Sequence, residues 1–176
     1  MKATYLLATL CFIFSFVNLA RAQESTGEIV KEWERAKVYT KEYLDAMPDS
    51  GYSLKPTPEM RSFAEQMLHI ADANYGLTAA AAGVKCPIGR GELEKSGEKS
   101  KEKVTQKVME SYDFVISNIQ KMTPAQLEEK IKLFDQFELS RRTALAKGFE
   151  HQTHHRGQTT VYLRLAGVKP PQEKLF

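Results

Sequence analysis

The chain has 176 residues, 25 of them basic and 22 acidic, and 42% of the residues are hydrophobic. That length allows one ordinary domain with its own core, and the near balance of charge gives no sign of the clustered basic surface that nucleic-acid binding wants. Two cysteines, Cys11 and Cys86, are too few for a disulfide framework.

The first stretch is predicted to be a leader. Met1-Lys2 gives a short basic start, Tyr5 to Leu19 is apolar with small polar interruptions, and Ala20-Arg21-Ala22 places small residues where a signal peptidase reads them. The run falls short of the ~20 apolar residues that a spanning helix needs. Cleavage after Ala22 is expected, with residues 1–22 as signal peptide and 23–176 as the mature domain, periplasmic or secreted. Cleavage removes Lys2, Arg21 and Cys11, leaving 154 residues with 23 basic and 22 acidic side chains. Cys86 then has no intramolecular partner, so an exported chain of this kind depends on its core for stability. Cys86 itself reads as a small core or loop residue.

Helix one is predicted from Thr26 to Met47, closed by Pro48, because Ile29, Trp33, Ala36, Thr40, Leu44 and Met47 recur at helical spacing. Trp33 reads as a core aromatic. Helix two is predicted to open with Thr57 as N-cap and Pro58 in its first turn, and to end near Gly83. Met60, Phe63, Ala64, Met67, Ala71, Asn74 and Thr78 form its main stripe. His69 falls opposite Met60, beside Ser62, Glu65, Ala73 and Gly76. That face reads either as solvated or as the floor of an open pocket.

Cys86 to Gly91 is predicted as a loop, and the alternating charges of Glu92 to Lys103 as a solvated helix start. Helix three carries Val104, Val108, Tyr112, Val115, Ile119 and Met122. A Thr123-x-x-Gln126 capping box then opens a short helix. Lys130 to Leu139 reads as an extended or irregular crossover. Helix four is predicted from Ser140 to Ala166, with Gly167 as C-cap and Pro170-Pro171 forbidding continuation. One face carries Ala144, Gly148, His151, His155, Gln158 and Tyr162, and a second stripe has Leu145, Phe149 and Leu163. Gly157 costs about 1 kcal/mol against alanine in a helix, which suggests close approach of another helix. Four long helices predict an all-α, four-helix bundle, a fold that places metal sites between facing helices.

Three of the four histidines lie in the string Glu150-His151-Gln152-Thr153-His154-His155-Arg156-Gly157-Gln158. His151 and His155 are one helical turn apart and share a face, so both imidazoles can reach one ion. His154 points away from them. Gln158 and Tyr162 keep that face polar where a bundle core would be aliphatic. A catalytic site needs a third protein ligand and an open position. His69 is the remaining histidine; Glu65 and Asp72 are the alternatives.

The string from Phe149 to Gln158, continued by Tyr162-Leu163-Arg164, Gly167 and Pro170-Pro171, resembles the terminal helix of the DinB-like (DinB/YfiT) family. Lys55-Pro56-Thr57-Pro58-Glu59, Ser62-Phe63-Ala64-Glu65 and Leu68-His69-Ile70-Ala71 resemble its second helix. The resemblance spans essentially the mature chain. It implies a four-helix bundle with an open divalent-metal site made by His69, His151 and His155, with His154 as a non-ligand. Described members include thiol-dependent transferases and isomerases.

The function expected on these grounds is an exported metal-dependent enzyme, either a hydrolase or a thiol-dependent transferase. The alternative is a non-catalytic metal- or ligand-binding bundle. Three imidazoles suit zinc or nickel, and also iron or copper. Glu65, Asp72 and Tyr162 are candidates for a general base by helical proximity alone, and no catalytic residue is assigned. The partners expected are a small-molecule substrate and at most a second copy of the chain, a homodimer, with no nucleic acid and no membrane anchor after cleavage.

Overall fold

The computed structural model describes residues 26–176; the expected leader over residues 1–22 and its cleavage step lie outside them. The fold is built from four long helices: α1 (residues 26–46), α2 (Phe63–Ala82), α3 (Lys101–Ile119) and α5 (Arg141–Leu165). A short helix, α4 (Pro124–Glu128), and a hairpin of β1 (Lys130–Leu133) and β2 (Phe137–Ser140) connect α3 to α5. No helix among the described residues is long and apolar enough to cross a membrane.

Most positions of the helical stripes read from the sequence are buried. Trp33, Ala36, Thr40, Leu44 and Met47 point inward from α1, and Val104, Val108, Tyr112, Val115 and Ile119 from α3. Trp33 joins three helices: its ring packs edge-on against Tyr112 at 5.9 Å and against Phe149 at 5.3 Å. Large edge-to-face rings of this kind contribute more than their buried area alone. Lys101 Nζ, at the start of α3, donates to the carbonyls of Asp45 (2.9 Å) and Met47 (2.8 Å), satisfying acceptors at the end of α1.

Helix α2 begins five residues later than Thr57-Pro58 suggests. Residues 57–60 form a turn closed by Met60 N–H to the Thr57 carbonyl (3.1 Å), and Met60 is exposed. The true N-cap is Ser62, which accepts from Glu65 N–H while the Glu65 carboxylate accepts from Ser62 N–H. Phe63 and Ala64 donate to the Leu54 and Tyr52 carbonyls, so the first orphan amides of the helix are paired to the incoming chain.

The charge run from Glu92 to Lys103 is helical only in its last three residues. Residues 84–100 are irregular, Gly91 has φ 66°, and α3 starts only where Ser100 caps it. The short helix keeps its Thr123–Gln126 capping box. The expected crossover is a two-stranded antiparallel hairpin, with Ile131 opposite Leu139 and Leu133 opposite Phe137. At the far end of α5, Gly167 takes φ 76°, with Gly167 N–H to the Arg164 carbonyl (3.0 Å) and Val168 N–H to the Leu163 carbonyl (2.8 Å). This paired closure needs a residue tolerant of the left-handed region, hence glycine.

Gly157 does not mark a close helix contact: a Cβ there would meet nothing within 4 Å. The glycine at the packed position is Gly148, buried against Leu77 and Trp33. Cys86 is half-buried against the core and unbonded.

Candidate metal centre

Packing of α2 on α5 brings His69 across from His151 and His155. The three ring centroids lie 5.0 Å (His69–His151), 4.5 Å (His69–His155) and 4.3 Å (His151–His155) apart. One nitrogen from each ring lies within 4.8 Å of the others. Donor nitrogens of a tetrahedral zinc site, with bonds of about 2.0–2.1 Å, stand roughly 3.3 Å apart. Side-chain adjustment therefore suffices to close the three rings on one ion. His154 is exposed and outside the cluster, its Nε2 3.0 Å from the amide nitrogen of Gln158.

Each ring of the cluster has a distinct setting. His69 Nδ1 donates to Glu94 Oε2 at 2.8 Å, and the other oxygen of Glu94 accepts from Arg61 Nε at 2.6 Å. A carboxylate can only accept, so Nδ1 carries a proton, and the tautomer that could ligate a metal is the one that offers Nε2. Burial pushes the Glu94 carboxyl up, but Arg61 and His69 outweigh it and hold the group below its ordinary value. His155 Nδ1 lies 2.8 Å from the Gln66 amide nitrogen and 3.2 Å from Gln158 Oε1. His151 Nδ1 is buried without a hydrogen-bond partner. An orphaned buried imidazole nitrogen beside two other imidazoles is what a metal ion would satisfy, and the donor set fits a divalent ion of the first transition row.

Burial and the neighbouring imidazoles lower His151 to about 4 and His155 to about 3. Both rings are therefore neutral, the form that ligates metal.

The carboxylates proposed from helical proximity are committed elsewhere. Glu65 is pulled down to about 2, first by Lys99 Nζ at 2.7 Å and then by the Ser62 backbone N–H that its carboxylate accepts. Asp72 accepts from the backbone N–H groups of Leu93 (3.1 Å) and Glu94 (2.9 Å). Neither belongs to the histidine cluster. Tyr162 donates to the Arg61 carbonyl at 2.8 Å, and burial raises its pKa. Glu94 is the residue that sequence reasoning missed, taken there as part of a solvated charge run. Asp72 pins the loop that carries it, one turn along α2 from His69.

A bundle of four long helices with three convergent imidazoles, one of them backed by a carboxylate, defines a helical protein with a candidate metal centre between α2 and α5. Residues 32–159 match the DinB superfamily, and the chain belongs to that family. No curated protein matches it in sequence. Among solved structures it is similar to a DinB-like protein from Bacillus cereus ATCC 10987, with TM-score 0.73 and 22% identity over 83% of this chain and 95% of that one. It is also similar to a DinB-like protein from Bacillus subtilis (TM-score 0.65, 21% identity, 85% and 96% covered). A conserved protein from Enterococcus faecalis gives TM-score 0.66 at 17% identity, with 80% and 95% covered. At these identities the three structures establish the fold.

Proposed function

We propose that this chain is an exported, divalent-metal-dependent enzyme of DinB type, a hydrolase or thiol-dependent transferase acting on a small molecule. The observation that carries the reading is the convergence of His69, His151 and His155 within 4.8 Å at their donor nitrogens. Zinc or nickel fits this donor set best, with iron or copper next. A divalent ion bound there supplies a Lewis acid with an open position, which acidifies water or a thiol.

The protein's own part is to hold and orient. Glu94 keeps the proton on His69 Nδ1 and leaves Nε2 for the ion, while Arg61 keeps Glu94 anionic. For His155 to ligate through Nε2, its Nδ1 must carry the proton. The matching arrangement turns both facing amides by half, so that the Gln66 oxygen accepts Nδ1–H and a hydrogen of the Gln158 amide, the reverse of the present Gln66–Gln158 bond. Export rests on the leader-like residues 1–22.

One observation favours the second reading, a non-catalytic metal-binding bundle: Glu65, Asp72 and Glu94 are all engaged, which leaves no unengaged carboxylate of these three beside the histidines among the described residues. Elemental analysis of purified protein, followed by assays with activated esters and with thiol plus electrophile, separates the two. Metal-dependent turnover that is lost in His151→Ala supports the enzyme. Stoichiometric metal without turnover supports the binding module, and failure to take up metal overturns both.

A further inference from the structure

The opposite face of α5 carries a second constellation. At about 100° per residue, His151, His155 and Gln158 share one side of the helix, while Thr153, Arg156, Gly157, Thr160 and Arg164 share the other. That other side opens on a cleft of about 480 Å³, walled by α1 and by the segment after Gly167. The volume is ample for a small organic ligand.

The cleft is electropositive and its cations have no carboxylate partner among the described residues. Arg156, Arg164 and Lys169 line it against one carboxylate, Glu173, a formal balance of +2. None of the three cations forms an ion pair with another described residue. Arg156 is only 5% exposed. Its guanidinium stacks 4.4 Å over the Tyr39 ring and donates to Gln152 Oε1 at 2.8 Å, both neutral partners. A buried guanidinium without a counter-ion is costly, and an anion entering the cleft relieves that cost. Tyr43 and Thr160, hydrogen-bonded to each other at 3.0 Å, add hydroxyls to the same wall. Tyr39, Pro170 and Leu175 supply apolar surface beside them.

A planar donor fork, a second arginine, an ammonium and hydroxyls, with two net positive charges, match a phosphate dianion better than a carboxylate. We propose that this cleft binds the phosphate group of a small organic phosphomonoester, independently of the histidine centre. Gly157 has a role on this reading. It costs the helix stability, and a Cβ there would meet nothing within 4 Å, so a long side chain at this lining position has the cleft to occupy.

The test is calorimetric titration of the whole protein with phenyl phosphate, with phenol as the neutral control. Saturable 1:1 binding of phenyl phosphate, but not of phenol, is expected. The Arg164→Gln/Lys169→Gln double variant should weaken it about tenfold or more. Gly157→Leu should abolish it while raising helix stability, which separates occlusion from misfolding. His151→Ala should leave it unchanged, so failure of the metal reading does not affect this one. No saturable binding, binding indifferent to Gly157→Leu and the double variant, or binding lost in His151→Ala would overturn the proposal. So would attachment to phosphatidic acid vesicles without uptake of phenyl phosphate, which would place the phosphate on a lipid instead.

Discussion

Glu94 accepts the Nδ1 proton of His69 at 2.8 Å across 25 residues of chain, which makes a carboxylate in an irregular loop the orienting partner of a helical imidazole. Such outer partners commonly account for ten- to a hundredfold in metal affinity. Glu94→Gln should therefore weaken metal binding by about that factor while leaving the circular dichroism spectrum intact. Competition against a chromophoric chelator measures it; unchanged affinity would remove Glu94 from the site.

The four histidines should separate by role. His69→Ala, His151→Ala and His155→Ala each delete a ring from the cluster and should lose metal severely. His154→Ala should keep it, because His154 is exposed and lies outside the cluster. None should unfold the chain, whose core of Trp33, Tyr112, Phe63 and their neighbours is built elsewhere. Metal stoichiometry on the four variants, with circular dichroism as control, decides it. Loss in His154→Ala with retention in His155→Ala would invert the assignment.

Acidity should act on the metal-free protein with a definite sign. His151 and His155 fall from the ordinary 6.5 to about 4 and about 3 in the fold, so the unfolded chain binds more protons than the native one at intermediate pH. The corresponding stability is complete above about pH 6.5 and is lost as pH drops from there through the folded values. The Tm of metal-free protein should fall between pH 7 and 4, and His151→Ala should flatten the slope. With metal present, protons compete for these two rings only near their folded values, so the ion should be held at pH 6 and released as pH falls through about 4; release already at pH 6 would show that these rings do not hold it.

Protein recovered from the producing cell should begin at Gln23. Ala20-Arg21-Ala22 is the small-x-small step at the end of the apolar run. N-terminal sequencing reads the answer directly, and a retained Met1 would overturn export.

Trp33→Ala should destabilise the bundle by about 3–5 kcal/mol, the range for deleting a large buried aromatic. It contacts both Tyr112 and Phe149, so a single cavity would loosen α1, α3 and α5 together. Denaturant titration gives the value.

Periodicity revealed the helices because burial of one stripe is a local property of each segment. The spacing of His151 and His155 was legible for the same reason. His69 was ambiguous on a helical wheel, since a wheel shows a face but not what lies across from it, and only the family resemblance selected the pocket. Glu94 was invisible because its link to His69 runs through residues 84–100, whose path is set by Asp72 accepting two backbone N–H groups. Thr57-Pro58 misplaced the start of α2 because it carries the same local chemistry as Ser62, and only the pairing of Phe63 and Ala64 to the incoming chain separates the two. Gly157 has a helix-breaking cost that the sequence shows, but it lines an open cleft and not a close helix contact.

The grip of Lys101 on the Asp45 and Met47 carbonyls ties the last turn of one helix to the first turn of another more than fifty residues on. Helix ends ordinarily fray alone, each at its own rate. Here the two termini share one clasp, so amide hydrogens near the end of α1 and the start of α3 should exchange with solvent through a common opening. The clasp thus sets the boundary of a cooperative unit that neither helix defines by itself.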